Sequence, residues 1–443
     1  MLNKLIKPLK LYGITAIILC VLINSANAQD RTITLQEAIT LGINTSKTLK
    51  YSKAKIDEAV SQFNQAKDKS LPTGSVSATY DRAQIPENVL RFGGETIELP
   101  TSANAYLGIA SINETIWAGN KLRYARQSTD MLTQVAKLDA NKDKDEITYD
   151  VISEYYNLYK VLQSIKVVNQ NIATIDAQIH QSQRFFDQGL VTKNDVLRFQ
   201  LQKANIQLNG LDLENNRKVI NYNLDILLGL PESTNLNIDE ITDGAKTVGP
   251  LSDYIDTALV TRQELRELYL QNKVAETNIK SIQANLSPTL SASAAGYYVG
   301  IAGNPVPKVG NDITPITIGV TLAWDFSSLW TNKNKVAQAK IQQDEVAINQ
   351  GITSDNVRTE VNQDYQNYVT ANDKIQLLQT SIEQAGENNN ILQSKYASNI
   401  ASATDRADAE TLLYQAQINL ELAKADAGLA YYTLLKATGK LNK

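Results

Sequence analysis

Near its C-terminal end the chain reads SKYASNIASATDRADAETLL, with Asp405 and Asp408 three residues apart and Arg406 between them. Residues at that spacing lie on one face of a helix, so the two carboxylates form a cation-attracting pair. Asp405 also has an ordinary explanation. Ser402-x-x-Asp405 has the form of a capping box, in which a first-turn acid satisfies free backbone N–H groups and favours the helix dipole. Asp408, one turn later, is not explained by capping. Thr192-x-x-Asp195 has the same form, but Arg198 stands there where Asp408 stands here.

Other chemistry has little to work with. The chain has one histidine, His180, and one cysteine, Cys20. Histidine-based metal clusters and catalytic triads are excluded within one chain, and so are thiolate sites if Cys20 is lost with a leader. Asp143, Asp145 and Glu146 in NKDKDEITYD suggest a cation site, but alternating Lys and Asp is ordinary solvated-helix chemistry. No metal, cofactor or enzymatic reaction is expected. The net charge of -4 shows no concentrated basic face, so nucleic acid is not an expected partner.

Residues 1–28 have the three-part plan of a secretory signal peptide: Lys4, Lys7 and Lys10, an apolar run from Leu11 to Leu22, and Ala26-Asn27-Ala28 before the expected cut. Leu19 before Cys20 is too large for a lipoprotein signal. No later stretch is apolar enough for a transmembrane helix.

The elements that must position the aspartates come from one motif used twice. LQEAITLGINTSKTLK from Leu35 aligns with LSDYIDTALVTRQELR from Leu251. Pro72-Thr73-x-Ser75-x-Ser77-Ala78 recurs as Pro288-Thr289-x-Ser291-x-Ser293-Ala294, and GLVTKNDVL from Gly189 matches NIASATDRA from Asn399. Asn120-Lys121 pairs with Asn332-Lys333, and each half ends in a glycine, Gly229 and Gly439. The expected plan is a first repeat over 29–230, a linker over 231–250 near mid-length, and a second repeat over 251–443.

Within each half, apolar residues recur in steps of three and four, as from Val151 through Tyr155, Leu158, Leu162 and Ile165. That period, near 3.5, is the signature of helices packed as coiled coils. At 1.5 Å per residue a helix over 119–187 is roughly 100 Å long, and 35–70 and 193–229 each reach about half that. Residues 332–396, 251–286 and 402–438 repeat this arithmetic. Each half is interrupted by a strand hairpin, about 74–118 and about 289–326, with tip turns at about 188–195 and about 396–405. In the second hairpin Ile316, Ile318, Val320, Leu322 and Trp324 alternate with Thr317, Gly319, Thr321, Ala323 and Asp325. The apolar face of such a hairpin needs cover. If it meets lipid, every strand edge must be closed, and four strands are too few to close a barrel.

These features together resemble the TolC family of outer membrane efflux channels. The resemblance covers essentially the whole chain after the leader. It is carried by the duplicated layout, by ETIWAGNKLRYA and AWDFSSLWTNKNKVAQA at the strand-to-helix junctions, and by FFDQGLVTKNDVLRFQ. It implies a mainly α fold with a small β part: long coiled-coil-like helices in a trimeric α-helical barrel, and four strands per chain in a twelve-stranded transmembrane β-barrel. It implies an outer membrane channel of a Gram-negative bacterium, extending into the periplasm and conducting passively within a tripartite efflux or type I secretion system. The implied partners are two further copies, outer membrane lipid, a periplasmic adaptor and an inner membrane RND, ABC or MFS transporter.

By the same resemblance Tyr396, Asp405 and Asp408 match the family's periplasmic aperture, where three chains place six carboxylates in a ring that binds cations and raises some carboxylate pKa values. Asn399 stands for the usual glycine, and Ala401 stands where an arginine is common. The tip turns, with Gly189, Leu190, Val191, Thr192 and Asp195 in one and Asn399, Ile400 and Ser402 in the other, are the implied adaptor-docking sites. Ile316, Ile318, Val320, Leu322 and Trp324 are the expected lipid-facing residues. The competing expectation is a secreted or surface coiled-coil structural protein that conducts nothing.

Overall fold

The computed structural model describes residues 30–84, 86–87, 89–98, 101–238, 248–302 and 312–442. The expected leader with its cut after Ala28, Cys20, residues 239–247 of the linker and 303–311 of the second hairpin loop lie outside these residues. In chain order the elements are β1 (Asp30–Ile33), α1 (Leu35–Thr45), α2 (Lys47–Asp68), β2 (Thr73–Gln84), β3 (Val89–Phe92), β4 (Glu95–Glu98), β5 (Ser102–Trp117), α3 (Lys121–Asp187) and α4 (Lys193–Leu228). There follow β6 (Asn235–Ile238), α5 (Leu251–Thr261), α6 (Gln263–Gln283), β7 (Thr289–Ala302), β8 (Asp312–Ile313), β9 (Ile316–Ala323), α7 (Ser328–Ala397) and α8 (Ala403–Ala437). The chain forms two compact units, one from Met1–Ser52, Ala140–Leu265 and Thr353–Lys443, the other from Lys53–Asp139 and Arg266–Ile352.

The second unit contains an antiparallel sheet in the order β2-β5-β7-β9, with the short β8 also paired to β7. Directly opposed residues share a face of a sheet. The register therefore puts Val76, Ala78 and Tyr80 with Ala110, Gly108 and Tyr106. On that same face Ala292, Ala294 and Gly296 of β7 meet Val320, Ile318 and Ile316 of β9. The opposite face carries Ser75, Ser77 and Thr79, Ser111 and Asn113, Ser291 and Ser293, and Thr317 and Thr321. Ser75 and Ser111 hydroxyls are hydrogen-bonded across it at 3.0 Å.

β5 alternates poorly because Leu107 and Ile109 share the face of Thr79 and Ser77, and Glu114 stands opposite Ala292 on the apolar face. A bulge between Thr115 and Trp117 brings Trp117 opposite Leu290, onto the apolar face. Between β2 and β5 the connection contains its own hairpin, β3 with β4, turning at Gly93 and Gly94, which both have positive φ.

Among its described residues the first unit is helical apart from β1 and β6, which pair in parallel, and the connecting turns. Its core packs Ile33, Ala38, Val151, Tyr155, Leu158, Leu224, Leu228 and Leu236. The Tyr155 hydroxyl donates to the Ile33 carbonyl at 3.1 Å, so the parallel pair is tied to α3. α4 ends in a left-handed cap at Gly229, φ 67°, where an added Cβ would come 2.8 Å from Cβ of Thr45. Leu230 N–H closes that turn on the Asp225 carbonyl at 2.8 Å, and Lys440 N–H does the same on Leu435 at 2.9 Å after Gly439. The two halves thus end in one motif.

The unbroken helices expected over 35–70 and 251–286 are each interrupted by a single extended residue, Ser46 and Arg262. The breaks fall at matching positions of the repeat, and neither involves proline or glycine. At the first, Ser46 Oγ accepts from Leu49 N–H at 3.2 Å and so starts the next helix. At the second, Arg262 is held by Glu360, with Nη1 and Nη2 3.0 and 2.9 Å from its oxygens, and by the Ala437 carbonyl at 3.1 Å. The aligned Asn120 and Asn332 also differ. Asn120 has φ 69° just before α3, whereas Asn332 is buried inside α7 and donates to the Ile282 carbonyl at 2.8 Å.

Candidate functional site

Two turns join α3 to α4 and α7 to α8, and both are built alike. In the first, Gly189 has φ 72° and Leu190 N–H bonds back to the Phe185 carbonyl at 2.9 Å. In the second, Asn399 has φ 54° and Ile400 N–H bonds back to the Lys395 carbonyl at 2.8 Å. Asn replaces Gly because its short polar side chain tolerates the left-handed region. Each turn then opens the next helix with a capping box. Asp195 accepts from Thr192 N–H at 2.8 Å; Asp405 accepts from Ser402 N–H at 3.0 Å, and Asp405 N–H donates to Ser402 Oγ at 3.1 Å. Leu190 and Ile400 project from the turns, 51% and 75% exposed.

The turns share one core. Tyr396 lies between the rings of Phe185 and Phe199, with both centroids 5.9 Å away, and packs with Ile175, Ala403 and Ala407. Tyr396 therefore does not join the two aspartates at the surface; it is 3% exposed, and burial pushes its hydroxyl pKa up. Asp405 and Asp408 are both exposed. The hydrogen bonds from Ser402 hold the Asp405 carboxyl below its usual range, so within one protomer capping shifts it opposite to the rise expected of a crowded acidic ring.

Beneath this surface lies a polar cluster absent from the sequence reading. Arg406 is buried in the first turn of α8. Its Nη1 donates to Asn389 Oδ1 of α7 and lies 3.1 Å from the Glu410 carboxylate one turn on. Gln178 of α3 donates to the same Glu410 oxygen at 3.0 Å. Burial pulls the Arg406 guanidinium pKa down, and Glu410 opposes that shift. Seven residues along both helices, Asn171 donates to Gln417 at 3.3 Å, so polar rungs recur between α3 and α8 at heptad spacing. α4 joins through Gln202, which donates to the Ala407 carbonyl and the Thr411 hydroxyl at 3.3 and 3.2 Å. The only sequence signal for the cluster is the i,i+4 pairing of Arg406 with Glu410.

The sheet is the other candidate surface. Ile316, Ile318, Val320, Leu322 and Trp324 are all exposed, Ile318 at 84%. At one end of their face the rings of Tyr80 and Tyr106 stand 5.2 Å apart, with Tyr298 on the same face opposite Gly108. Toward the other end stand Trp117 and Trp324, whose indole N–H donates to the Leu286 carbonyl at 3.1 Å. Among the described residues no helix is long and apolar enough to cross a membrane, which says nothing about strands. Among the same residues no group of three His, Cys, Asp or Glu side chains is placed to hold a metal ion.

A model of the outer membrane efflux protein family matches residues 39–230 and 254–440. Outer membrane protein TolC of Salmonella enteritidis is 22% identical over 408 residues, 89% of this chain and 79% of that one. Outer membrane efflux protein BepC of Brucella suis biovar 1 (strain 1330) is 21% identical over 374 residues, 81% of this chain and 77% of that one. The crystal structure of the outer membrane protein VceC from Vibrio cholerae superposes with a TM-score of 0.76 at 16% identity, covering 91% of this chain and 96% of that one.

Proposed function

The chain belongs to the outer membrane efflux protein family, and from that premise we propose a channel closed by three copies, with an aperture lined by Asp405 and Asp408. As a member of that family it is the outer membrane channel component of a tripartite efflux or secretion system, set in the Gram-negative outer membrane with a periplasmic extension, and not an enzyme.

One observation carries the proposal: a four-stranded sheet has β2 and β9 as unpaired edges among the described residues and a wholly apolar exposed stripe on β9. In hydrocarbon an unpaired edge leaves backbone groups unsatisfied, so the edges must meet other copies. Three copies give a barrel of twelve strands, the number implied by the family resemblance and within the even-numbered range of such barrels. The Ser/Thr face then lines a wet lumen. α4 supports the same assembly, because Leu197, Leu201, Leu208 and Leu211 form an exposed heptad stripe that a second copy would cover.

The tip turns are the docking surface for a periplasmic adaptor, with Leu190 and Ile400 as apolar contacts beside Gly189, Val191, Thr192, Asp195, Asn399 and Ser402. The adaptor couples the channel to an inner membrane RND, ABC or MFS transporter, and transport through the channel is passive. Mass measurement of the purified protein in detergent, followed by single-channel recording in planar bilayers, tests the reading. A trimer that makes discrete conductance steps supports it. A monomer, or a protein soluble without detergent that makes no channels, refutes it in favour of a coiled-coil structural role.

A further inference from the structure

The polar cluster under the α7–α8 turn is not needed to build such a turn. In the first half of the repeat the position of Arg406 is held by Val196, buried and apolar, and that of Glu410 by Gln200, exposed. The two turns have a left-handed residue, a back-bonded N–H and a capping box at matching positions. Packing is thus satisfied by valine where the second half places a buried guanidinium. The charge is also set against the helix dipole, since a cation in a first turn faces the positive end of the helix. Taking an ion pair out of water offsets most of its attraction, so a buried pair is weak evidence for stability; fixing register is its best-attested use.

The partners show what is fixed. Arg406 and Glu410 are on α8, Asn389 is on α7 and Gln178 is on α3, and each of the two charged groups reaches one of the amides. Asp405 and Asp408 flank Arg406 within the same turns of α8 and face outward. The rotation and height of this stretch of α8 therefore decide where the two carboxylates stand. We propose that Arg406 and Glu410 are a positioning pair for the acidic aperture, tying the start of α8 to both α7 and α3 so that Asp405 and Asp408 are presented in one fixed place. The proposal rests on the reading of those aspartates as aperture residues. Neither Arg406 nor Glu410 touches the permeating solute.

The experiment uses the full-length protein in planar bilayers, with thermal unfolding in detergent recorded in parallel. Arg406→Met alone strands the Glu410 carboxylate in the core and confounds conduction with misfolding, so the informative variant is Arg406→Val/Glu410→Gln, which installs the residues the first half already uses. It is expected to unfold within a few degrees of the wild type. Its channels are expected to occupy the larger conductance level roughly tenfold more often, the scale of losing one charge-assisted hydrogen bond, and to lose part of the cation preference. Arg406→Lys keeps the charge without the planar fork and is expected to fall between the two. Wild-type channels with the same dwell times and reversal potential as the double variant overturn the proposal while leaving the channel reading intact. A lowered unfolding midpoint with unchanged conduction also overturns it, because the pair is then merely structural. Absence of channels from the wild type overturns both readings together.

Discussion

Replacing Val320 and its neighbour Thr321 by arginine, one at a time, separates a lipid face from a lumen face at nearly constant depth. The register gives that depth. Tyr298 of β7 stands two residues beyond Gly296, which opposes Ile316, and Trp324 lies eight residues along from Ile316. The aromatic ends are therefore about ten residues apart, or roughly 33 Å of strand at 3.3 Å per residue. A tilt of about 40° reduces this to roughly 25 Å, the height of an outer-membrane apolar band. Val320 then sits close to the midplane, where an arginine facing lipid costs about 2–4 kcal/mol per chain. Thr321 opposes Ser291 on the polar face, where an arginine remains in water and acts on selectivity instead. Urea unfolding of the protein inserted in thin phosphatidylcholine vesicles measures the cost. Val320→Arg is expected to lower the stability by that amount or abolish insertion, and Thr321→Arg to leave it within about 1 kcal/mol while shifting the reversal potential toward anions. A larger loss from Thr321→Arg than from Val320→Arg would show that the two faces have been assigned the wrong way round.

Other perturbations have equally definite outcomes. Asp408→Asn is expected to weaken cation preference without changing the unfolding midpoint, because Asp408 plays no part in the cap; Asp405→Asn is expected to do both, with a midpoint loss equivalent to about 1 kcal/mol for the altered cap. Leu190→Asp together with Ile400→Asp is expected to abolish binding of the adaptor in surface-plasmon measurements while leaving bilayer conductance unchanged. Asp225 has no solvent exposure and a carboxyl pushed up to about 6 by burial, against an Asn221 hydrogen bond that pulls it down. The folded state therefore holds this proton more tightly than the unfolded chain does. Stability attributable to it is full below about pH 4 and is lost as pH rises to about 6, by at most about 3 kcal/mol. Asp225→Asn is expected to raise the midpoint at pH 8 and to remove that pH dependence; an equal effect at pH 4.5 and pH 8 would contradict this origin.

The long helices and the strands β2, β7 and β9 are legible because their periods, 3.5 and 2, are sustained over many residues, whereas β5 alternates poorly. What was not legible depends on contacts distant in sequence. Arg262 breaks its helix as a single extended residue, and its partners, Glu360 and Ala437, lie about a hundred residues or more away. β1 and β6 are four residues each and become a sheet only through parallel pairing across the first half. Tyr396, matched to the aperture by resemblance, proved to be a core residue, since a tyrosine beside a turn gives no periodic sign of which way it points.

Arg406, the second residue of Asp-Arg-x-Asp, carries no periodic sign of burial, because it stands between two exposed aspartates. Duplication is what makes it informative. Gly189 with Asn399, and Thr192-x-x-Asp195 with Ser402-x-x-Asp405, preserve the turn, so the geometry at Val196 and at Arg406 is the same geometry with different chemistry. A departure at a buried position of an otherwise repeated turn is a difference between the two halves that the fold did not require. Arg198 and Asp408 differ at the surface in the same two turns, with the charge reversed. The buried and the exposed departures occur together in the half that carries the acidic pair, and that coincidence ties the cluster to the aspartates above it rather than to the stability of the tip.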